Sequence, residues 1–150
     1  MRSVVIVPTY QEAGNIEPFL RAVRAAAPNI SILVCDDNSP DGTGEIAEKV
    51  LFELGQGEVL HRPQKEGLGA AYRHGFTHAV DAGFEIIIHM DVDFSHDPAL
   101  LPQMEAVILD GHDVAVGSRY VPGGSTPDWP VRRRLLSRYG NEYARAALSL

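Results

Sequence analysis

Short apolar runs alternate with longer stretches of helical periodicity along this chain, and that alternation leaves few architectures open. The apolar runs fall at residues 3–7, 30–35, 58–61, 84–90 and 114–116. Between them, helical spacing is read at 15–27, where Ile16, Phe19, Leu20 and Val23 share one face, and at 44–54, 67–82, 97–109 and 132–150. Pro8 stops the first run, and Pro98 suits the first turn of the helix that Asp97 opens. The fourth run, Phe84-Glu85-Ile86-Ile87-Ile88-His89-Met90, is rich in β-branched residues without strict alternation. Such a run fills both faces of a covered sheet. The expectation is an α/β, Rossmann-like, mostly parallel sheet with helices on both faces.

In sheets of this kind ligands bind beyond the carboxyl ends of the strands. The rule gathers three polar clusters that are distant in sequence: Thr9-Tyr10-Gln11-Glu12, Asp36-Asp37-Asn38-Ser39 and Asp91-Val92-Asp93. Length allows one domain, residues 1–150, with a sizeable core. The formal net charge of -7 argues against general nucleic-acid binding, which needs a basic surface. Cys35 is the single cysteine, so no intrachain disulfide forms, in keeping with a reducing compartment. No apolar run has the length of a signal peptide or a membrane span. The chain is expected to be soluble yet able to dock on a membrane surface.

Asp91-Val92-Asp93 is the most chemically suggestive cluster. Two like charges at a strand tip repel, and each needs compensation. A divalent cation supplies it, because hard cations prefer carboxylate oxygens and often carry a substrate's phosphates. The plainer alternative is a solvated turn after a strand. In Pro8-Thr9-Tyr10-Gln11-Glu12, Tyr10 offers a ring face and a hydroxyl to a sugar or base. Glu12 offers acceptors, although Glu12 and Asn15 also read as ordinary helix-start residues. At the second strand tip, Asp37 is the functional candidate, for a nucleobase donor edge or ribose hydroxyls. Pro40-Asp41-Gly42-Thr43 reads as a tight turn with a helix cap, and Cys35 as a packing residue.

The small residues of Lys65-Glu66-Gly67-Leu68-Gly69-Ala70-Ala71-Tyr72-Arg73-His74-Gly75 let a helix start approach a ligand or a strand, and no P-loop or dinucleotide fingerprint is present. A basic segment follows later, with Arg119 and then Arg132-Arg133-Arg134 and Arg138. Arg133 and Ser137 are four apart, which on a helix sets them on one face, suited to a phosphate. The alternative is a solvated helix face. The six histidines lack zinc-like spacing, and His96, beside the acidic pair, reads as a hydrogen-bonded structural residue.

Taken in order, Val7-Pro8-Thr9-Tyr10-Gln11-Glu12, Asp36-Asp37-Asn38-Ser39-Pro40-Asp41-Gly42-Thr43 and Met90-Asp91-Val92-Asp93 resemble family 2 glycosyltransferases of the GT-A fold. Lys65-Glu66-Gly67-Leu68-Gly69, Asp93-Phe94-Ser95-His96, Gly117-Ser118-Arg119-Tyr120 and the stretch from Trp129 to Arg138 are similar to polyprenyl- or dolichyl-phosphate mannose synthases. The resemblance spans essentially the whole chain. It implies metal-dependent, inverting transfer of mannose from GDP-mannose to a polyprenyl phosphate, with Mg²⁺ or Mn²⁺. Pro8, Tyr10, Glu12, Cys35 and Asp37 would surround the nucleoside. Asp91, Val92 and Asp93 would lie at the diphosphate, with Asp91 and Asp93 on the metal. Asp93 and Arg119 would be the catalytic pair, and Arg119, Arg133 and Ser137 would hold the lipid phosphate. Where some members place a metal-contacting Gln, this chain has Ser95. The resemblance also implies work at the cytoplasmic face of a membrane, by peripheral contact or through a membrane-embedded partner.

Members of the family usually continue into a segment with an Asp-x-Thr-x-Gly-Phe-Arg-like motif, which this sequence lacks, so a C-terminally truncated domain is expected. Three rivals stand beside the mannosyl reading. One is a family 2 transferase using UDP-glucose or another donor. A second is a phosphotransferase of the haloacid dehalogenase type. That type carries its Asp-x-Asp after the first strand, with Thr or Val following; here Phe94 follows Asp93 and three strand–helix units precede it. The third is a nucleotide-sugar-binding module without catalysis.

Overall fold

The computed structural model describes residues 1–118, 121, 124 and 130–148. Residues 1–115 form one compact unit and the segment from 116 onward a second, taken separately below. The first unit holds four strands, β1 (Ser3–Thr9), β2 (Ser31–Asp36), β3 (Gly57–His61) and β4 (Ile86–His89). They form one sheet in the order β3-β2-β1-β4, and every pairing is parallel. The helices are α1 (Ile16–Ala26), α2 (Thr43–Leu54), α3 (Leu68–Asp81) and α4 (Leu101–Leu109), with a single 3₁₀ turn at Pro98–Leu100.

The sheet is apolar on both faces because successive side chains of a strand point opposite ways. Val5, Val7, Ile32 and Val34 join Ile16, Phe19, Leu20 and Val23 of α1 and Ala47, Val50 and Leu51 of α2 in one buried cluster. Val4, Ile6, Leu33 and Cys35 face the other way and meet Ala79 and Tyr72 of α3. The small residues foreseen around 67–75 serve this second layer. A Cβ on Gly75 would come within 2.8 Å of Ile6 and 2.9 Å of the Cys35 sulfur, so only glycine lets α3 approach this closely. Cys35 is fully buried there, and burial pushes its thiol up to about 12, which removes it as a nucleophile at neutral pH.

Arg24, at the end of α1, donates to the carbonyls of Pro28, Ile30, Gly55 and Gln56 at 2.7–3.1 Å. It ties together the loops at the amino ends of β2 and β3, the end of the sheet remote from the polar clusters.

Three sequence expectations change. Pro8 does not stop the first strand: β1 runs on to Thr9, with Pro8 opposite Cys35 and Thr9 opposite Asp36, because proline removes only its own N–H from the ladder. Residues 114–116 are not a strand: Val114 and Val116 are largely exposed, and no strand pairs with them among the described residues. A run of only three residues, Val114-Ala115-Val116, buries too little to hold a ladder. The fourth strand, expected over 84–90, is confined to Ile86–His89. Phe84 is held back by its N–H donating to the Ala79 carbonyl, and its ring lies under the Arg2 guanidinium, 4.4 Å from the centroid. In the second unit, α5 runs Val131–Leu148, close to the expected helix. Arg133 and Ser137 lie one turn apart on it. Arg119 falls outside the described residues.

Candidate active site

The carboxyl ends of β1, β2 and β4 carry the three polar clusters, and the chain reverses sharply after each. Gln11, Asn38 and Phe94, one in each loop, have positive φ of 59°, 54° and 58°. Non-glycine residues in this region cost about 1 kcal/mol or more and concentrate at functional sites.

The first two loops are stitched to each other. Asp36 accepts from the Thr9 hydroxyl at 2.9 Å, the Ser39 hydroxyl at 2.6 Å and the Ser39 N–H at 2.9 Å. Ser39 in turn accepts from the Gln11 N–H at 3.1 Å. Asp41 accepts from the Thr43 hydroxyl and from the N–H groups of Thr43 and Ala13. The Thr43 hydroxyl accepts from the Glu12 N–H at 2.9 Å. The structural reading of Pro40 to Thr43 therefore holds, with Gly42 at φ 83° entering α2. The lattice fixes Glu12, whose carboxylate also accepts from Asn15 at 2.8 Å.

The third loop has fewer restraints. Met90 and Val92 are buried on the α1 side, which turns Asp91 toward α3. There the Tyr72 hydroxyl donates to Asp91 at 3.0 Å. Tyr72 packs edge-on against His89 and stacks on Phe76, and burial together with Asp91 pushes its phenol well above the usual range, so it remains a donor. Asp93 is exposed and accepts from the Ser95 N–H at 2.9 Å. Hydrogen bonding by Ser95, hydroxyl first and N–H second, holds the Asp93 carboxyl below its ordinary value. The Asp91 N–H donates to His96 Nδ1 at 3.2 Å, which gives His96 the structural role expected for it. Phe94 anchors the turn by setting its ring edge-on to Phe19, with centroids 5.4 Å apart.

A cavity of about 310 Å³ opens between these loops. Pro8, Tyr10, Glu12, Asp37, Asp91, Val92 and Asp93 all line it, so seven residues chosen from sequence meet in one place. Thr9, Lys65, Leu68 and Ala71 complete the lining. Cys35, expected among the nucleoside contacts, does not line it: its side chain faces α3 on the other side of the strand. A smaller cavity, about 220 Å³, lies at the amino ends of the strands around Val4, Ile32, Gly57 and Phe84. It gathers none of the candidate residues.

Four carboxylates line the larger cavity against one ammonium, that of Lys65, which sits 3.7 Å above the Tyr10 ring centroid. Behind the lining, Arg62 is 3% exposed and its Nη1 bonds Asp37 Oδ1. Sequence reasoning missed Arg62 and Tyr72. The strand-tip rule pointed to Arg62, which follows the last residue of β3, but it was applied only to the other three strands.

The comparisons with known proteins bear on this geometry. The model of the family described as glycosyl transferase family 2 matches residues 4–149. The chain belongs to that family. A polyprenol monophosphomannose synthase from Mycolicibacterium smegmatis is 43% identical over 150 residues, covering 99% of this chain and 57% of its own length. An undecaprenyl-phosphate mannosyltransferase from Micrococcus luteus is 41% identical, covering 100% of this chain and 61% of its own length. A dolichol-phosphate mannosyltransferase from Pyrococcus furiosus is 36% identical, covering 99% and 42%. The chain thus spans roughly three fifths of the length of the first two. Among solved structures, the mannosyltransferase PcManGT from Pyrobaculum calidifontis, in complex with GDP-Man and Mn²⁺, is similar with a TM-score of 0.55 and 27% identity. That likeness covers 61% of this chain and 27% of the other. S. aureus TarS residues 1–349 share the fold, with a TM-score of 0.62 and 24% identity, covering 81% of this chain and 38% of that one. The GT-A fold expected from the motifs is the fold of this chain's structural neighbours. Among the described residues no helix is long and apolar enough to cross a membrane.

Proposed function

We propose that this chain carries the donor-binding part of a glycosyltransferase that moves a mannosyl group from GDP-mannose to a polyprenyl phosphate. The observation that carries the proposal is the meeting of Pro8, Tyr10, Glu12, Asp37, Asp91, Val92 and Asp93 around one cavity at the carboxyl end of a parallel sheet. The named relatives and the GDP-Man and Mn²⁺ complex of the neighbour support the substrates.

Tyr10, Glu12 and Asp37 form the nucleoside end, offering a ring face and acceptor oxygens. Asp91 and Asp93 form the diphosphate end, and their donor set suits a divalent ion. Both are hard oxygen donors, and hydrogen bonding by Ser95 lowers the Asp93 carboxyl, which favours its ionised form. Among the described residues there is no cluster of three or more metal-binding side chains. A two-carboxylate site fits an ion that completes its shell with phosphate oxygens and water. Mg²⁺ or Mn²⁺ held by Asp91 and Asp93 would neutralise charge developing on the departing diphosphate.

The acceptor phosphate is already ionised near neutral pH, so attack at the anomeric carbon, with inversion, needs no strong general base. Asp93 acts through the metal site rather than by taking a proton. Arg119, Arg133 and Ser137 are assigned to the acceptor phosphate. The charge distribution favours this: residues 1–115 carry seven basic and eighteen acidic side chains, whereas 116–150 carry six basic and two acidic. Residues 1–150 then work as one nucleotide-sugar-binding domain at the cytoplasmic face of a membrane, by peripheral contact or beside a membrane-embedded partner.

Thermal shifts with GDP-mannose, GDP, UDP-glucose and UDP, each with Mn²⁺ or Mg²⁺, test the donor. Stabilisation by the GDP compounds alone is expected, and stabilisation by the UDP compounds alone would replace mannose with another donor. Turnover with polyprenyl phosphate separates an enzyme from a binding module. Arg133→Ala is expected to weaken the lipid phosphate while sparing GDP, and an equal loss of both would remove the assigned division.

A further inference from the structure

The cation behind the cavity has an unusual set of partners. The Arg62 side chain is only 2% exposed, and a guanidinium so enclosed is costly unless each donor finds an acceptor. Arg62 finds three on three different segments. Nη1 bonds Asp37 Oδ1 at the tip of β2, Nη2 donates to Glu66 Oε2 at 2.7 Å in the loop before α3, and Nε donates to His74 Nδ1 at 2.9 Å on α3. The Arg62 N–H also donates to the Asp36 carbonyl at 2.8 Å. Since His74 Nδ1 accepts, the neutral ring carries its proton on Nε2. Three acceptors in three directions fix the plane of the guanidinium, which a lysine ammonium could not reproduce.

Of these groups only Asp37 lines the cavity. Arg62 therefore acts on anything bound there through Asp37. Its bond occupies Oδ1 and balances the carboxylate's charge. Among the described residues no donor reaches Oδ2.

We propose that Arg62 is a positioning residue for nucleoside recognition: it clamps Asp37 so that Oδ2 is presented as the acceptor for an N–H or O–H of the nucleoside of a nucleoside diphosphate. The inference rests on the reading of the cavity as a nucleotide-sugar site and adds a residue and a division of labour to it. Arg62, Glu66 and His74 set the nucleoside end, and the 91–93 loop sets the diphosphate end without them.

The test titrates GDP with Mn²⁺, and inorganic pyrophosphate with Mn²⁺, into the native chain and into Arg62→Lys, Asp37→Asn and the double variant. GDP affinity should fall roughly 10-fold or more in each single variant, the range for losing one charge-assisted hydrogen bond. Pyrophosphate affinity should stay within about twofold. The double variant should lose no more than the worse single, because the two residues form one unit. Native GDP affinity in Arg62→Lys, equal losses of GDP and pyrophosphate, or losses that multiply in the double variant would each overturn the proposal. Should Arg62→Lys fail to fold, Glu66→Gln, at a half-exposed site, loosens the same guanidinium and should still weaken GDP a few-fold without affecting pyrophosphate; no change there overturns it equally. A native chain that binds no GDP would instead defeat the nucleotide-sugar reading, and this inference with it.

Discussion

Two strand tips in this molecule carry paired acids, and one of the four, Asp36, does work opposite to the others. At the end of β2, Asp36 is 2% exposed and has both oxygens met by Thr9 and Ser39, while Asp37, 5% exposed, has Oδ1 met by Arg62 and lines the cavity. At the end of β4, Asp91 and Asp93 are less buried; Asp91 accepts from the Tyr72 hydroxyl and Asp93 from Ser95. Residue type and topological position are the same in both. What differs is how many donors the surroundings commit to each carboxylate. A saturated carboxylate is an architectural tie, and an unsaturated one retains the lone pairs that a cation can use.

The largest effect should come from the saturated carboxylate. Asp36→Ala leaves the Thr9 and Ser39 hydroxyls and the Ser39 N–H without their acceptor, and should lower unfolding stability by roughly 3 kcal/mol in chemical denaturation. A loss under about 1 kcal/mol would break the comparison.

Asp93→Ala should do the reverse. Its stability should change by only about 0.5 kcal/mol, as for an ordinary surface substitution. Mn²⁺-dependent GDP binding should fall by about 100-fold or more, as calorimetry would show, for loss of a metal ligand whose supporting partners alone are worth 10–100-fold. Unchanged Mn²⁺ affinity would remove the ligand role.

Tyr72→Phe falls between the two. It deletes one hydrogen bond to Asp91 and leaves the ring packing on Phe76 and His89 intact. About 1 kcal/mol of stability and roughly a 10-fold loss of Mn²⁺ affinity are expected, because Asp91 is no longer oriented.

The smallest effect is a pH shift. Ser95 depresses the Asp93 carboxyl, so in the native chain metal binding should be retained as pH falls until that lowered value is reached. In Ser95→Ala the carboxyl moves back up toward its ordinary value, and the acid limb of Mn²⁺ binding should move to higher pH. An unmoved limb would show that Asp93 does not govern it. The same depressed carboxyl adds stability above its unfolded value and loses it as pH falls through the folded one.

Much of this was legible in the sequence because it is encoded locally. Unbroken β-branched runs dictated strands covered on both faces, periodic apolar residues dictated α1 to α3, and the tips of strands in such a sheet converge by topology. Seven residues picked at those tips meet around the cavity for that reason. The exceptions are instructive. Cys35 follows the strand's alternation onto the α3 face, so a position next to the site in sequence lies behind it in space. Residues 114–116 have strand composition but no ladder partner among the described residues, and pairing is a tertiary property.

The amino-acid sequence by itself determined the elements, the faces they bury and which loops bring acids together, because period and composition act over a few residues. Only the tertiary structure decided which acids are spent on the fold and which stay available. Arg62 lies 25 positions from Asp37 and Tyr72 lies 19 from Asp91. A carboxylate's role depends on donors and burial supplied across such distances, and spacing along the chain does not register them.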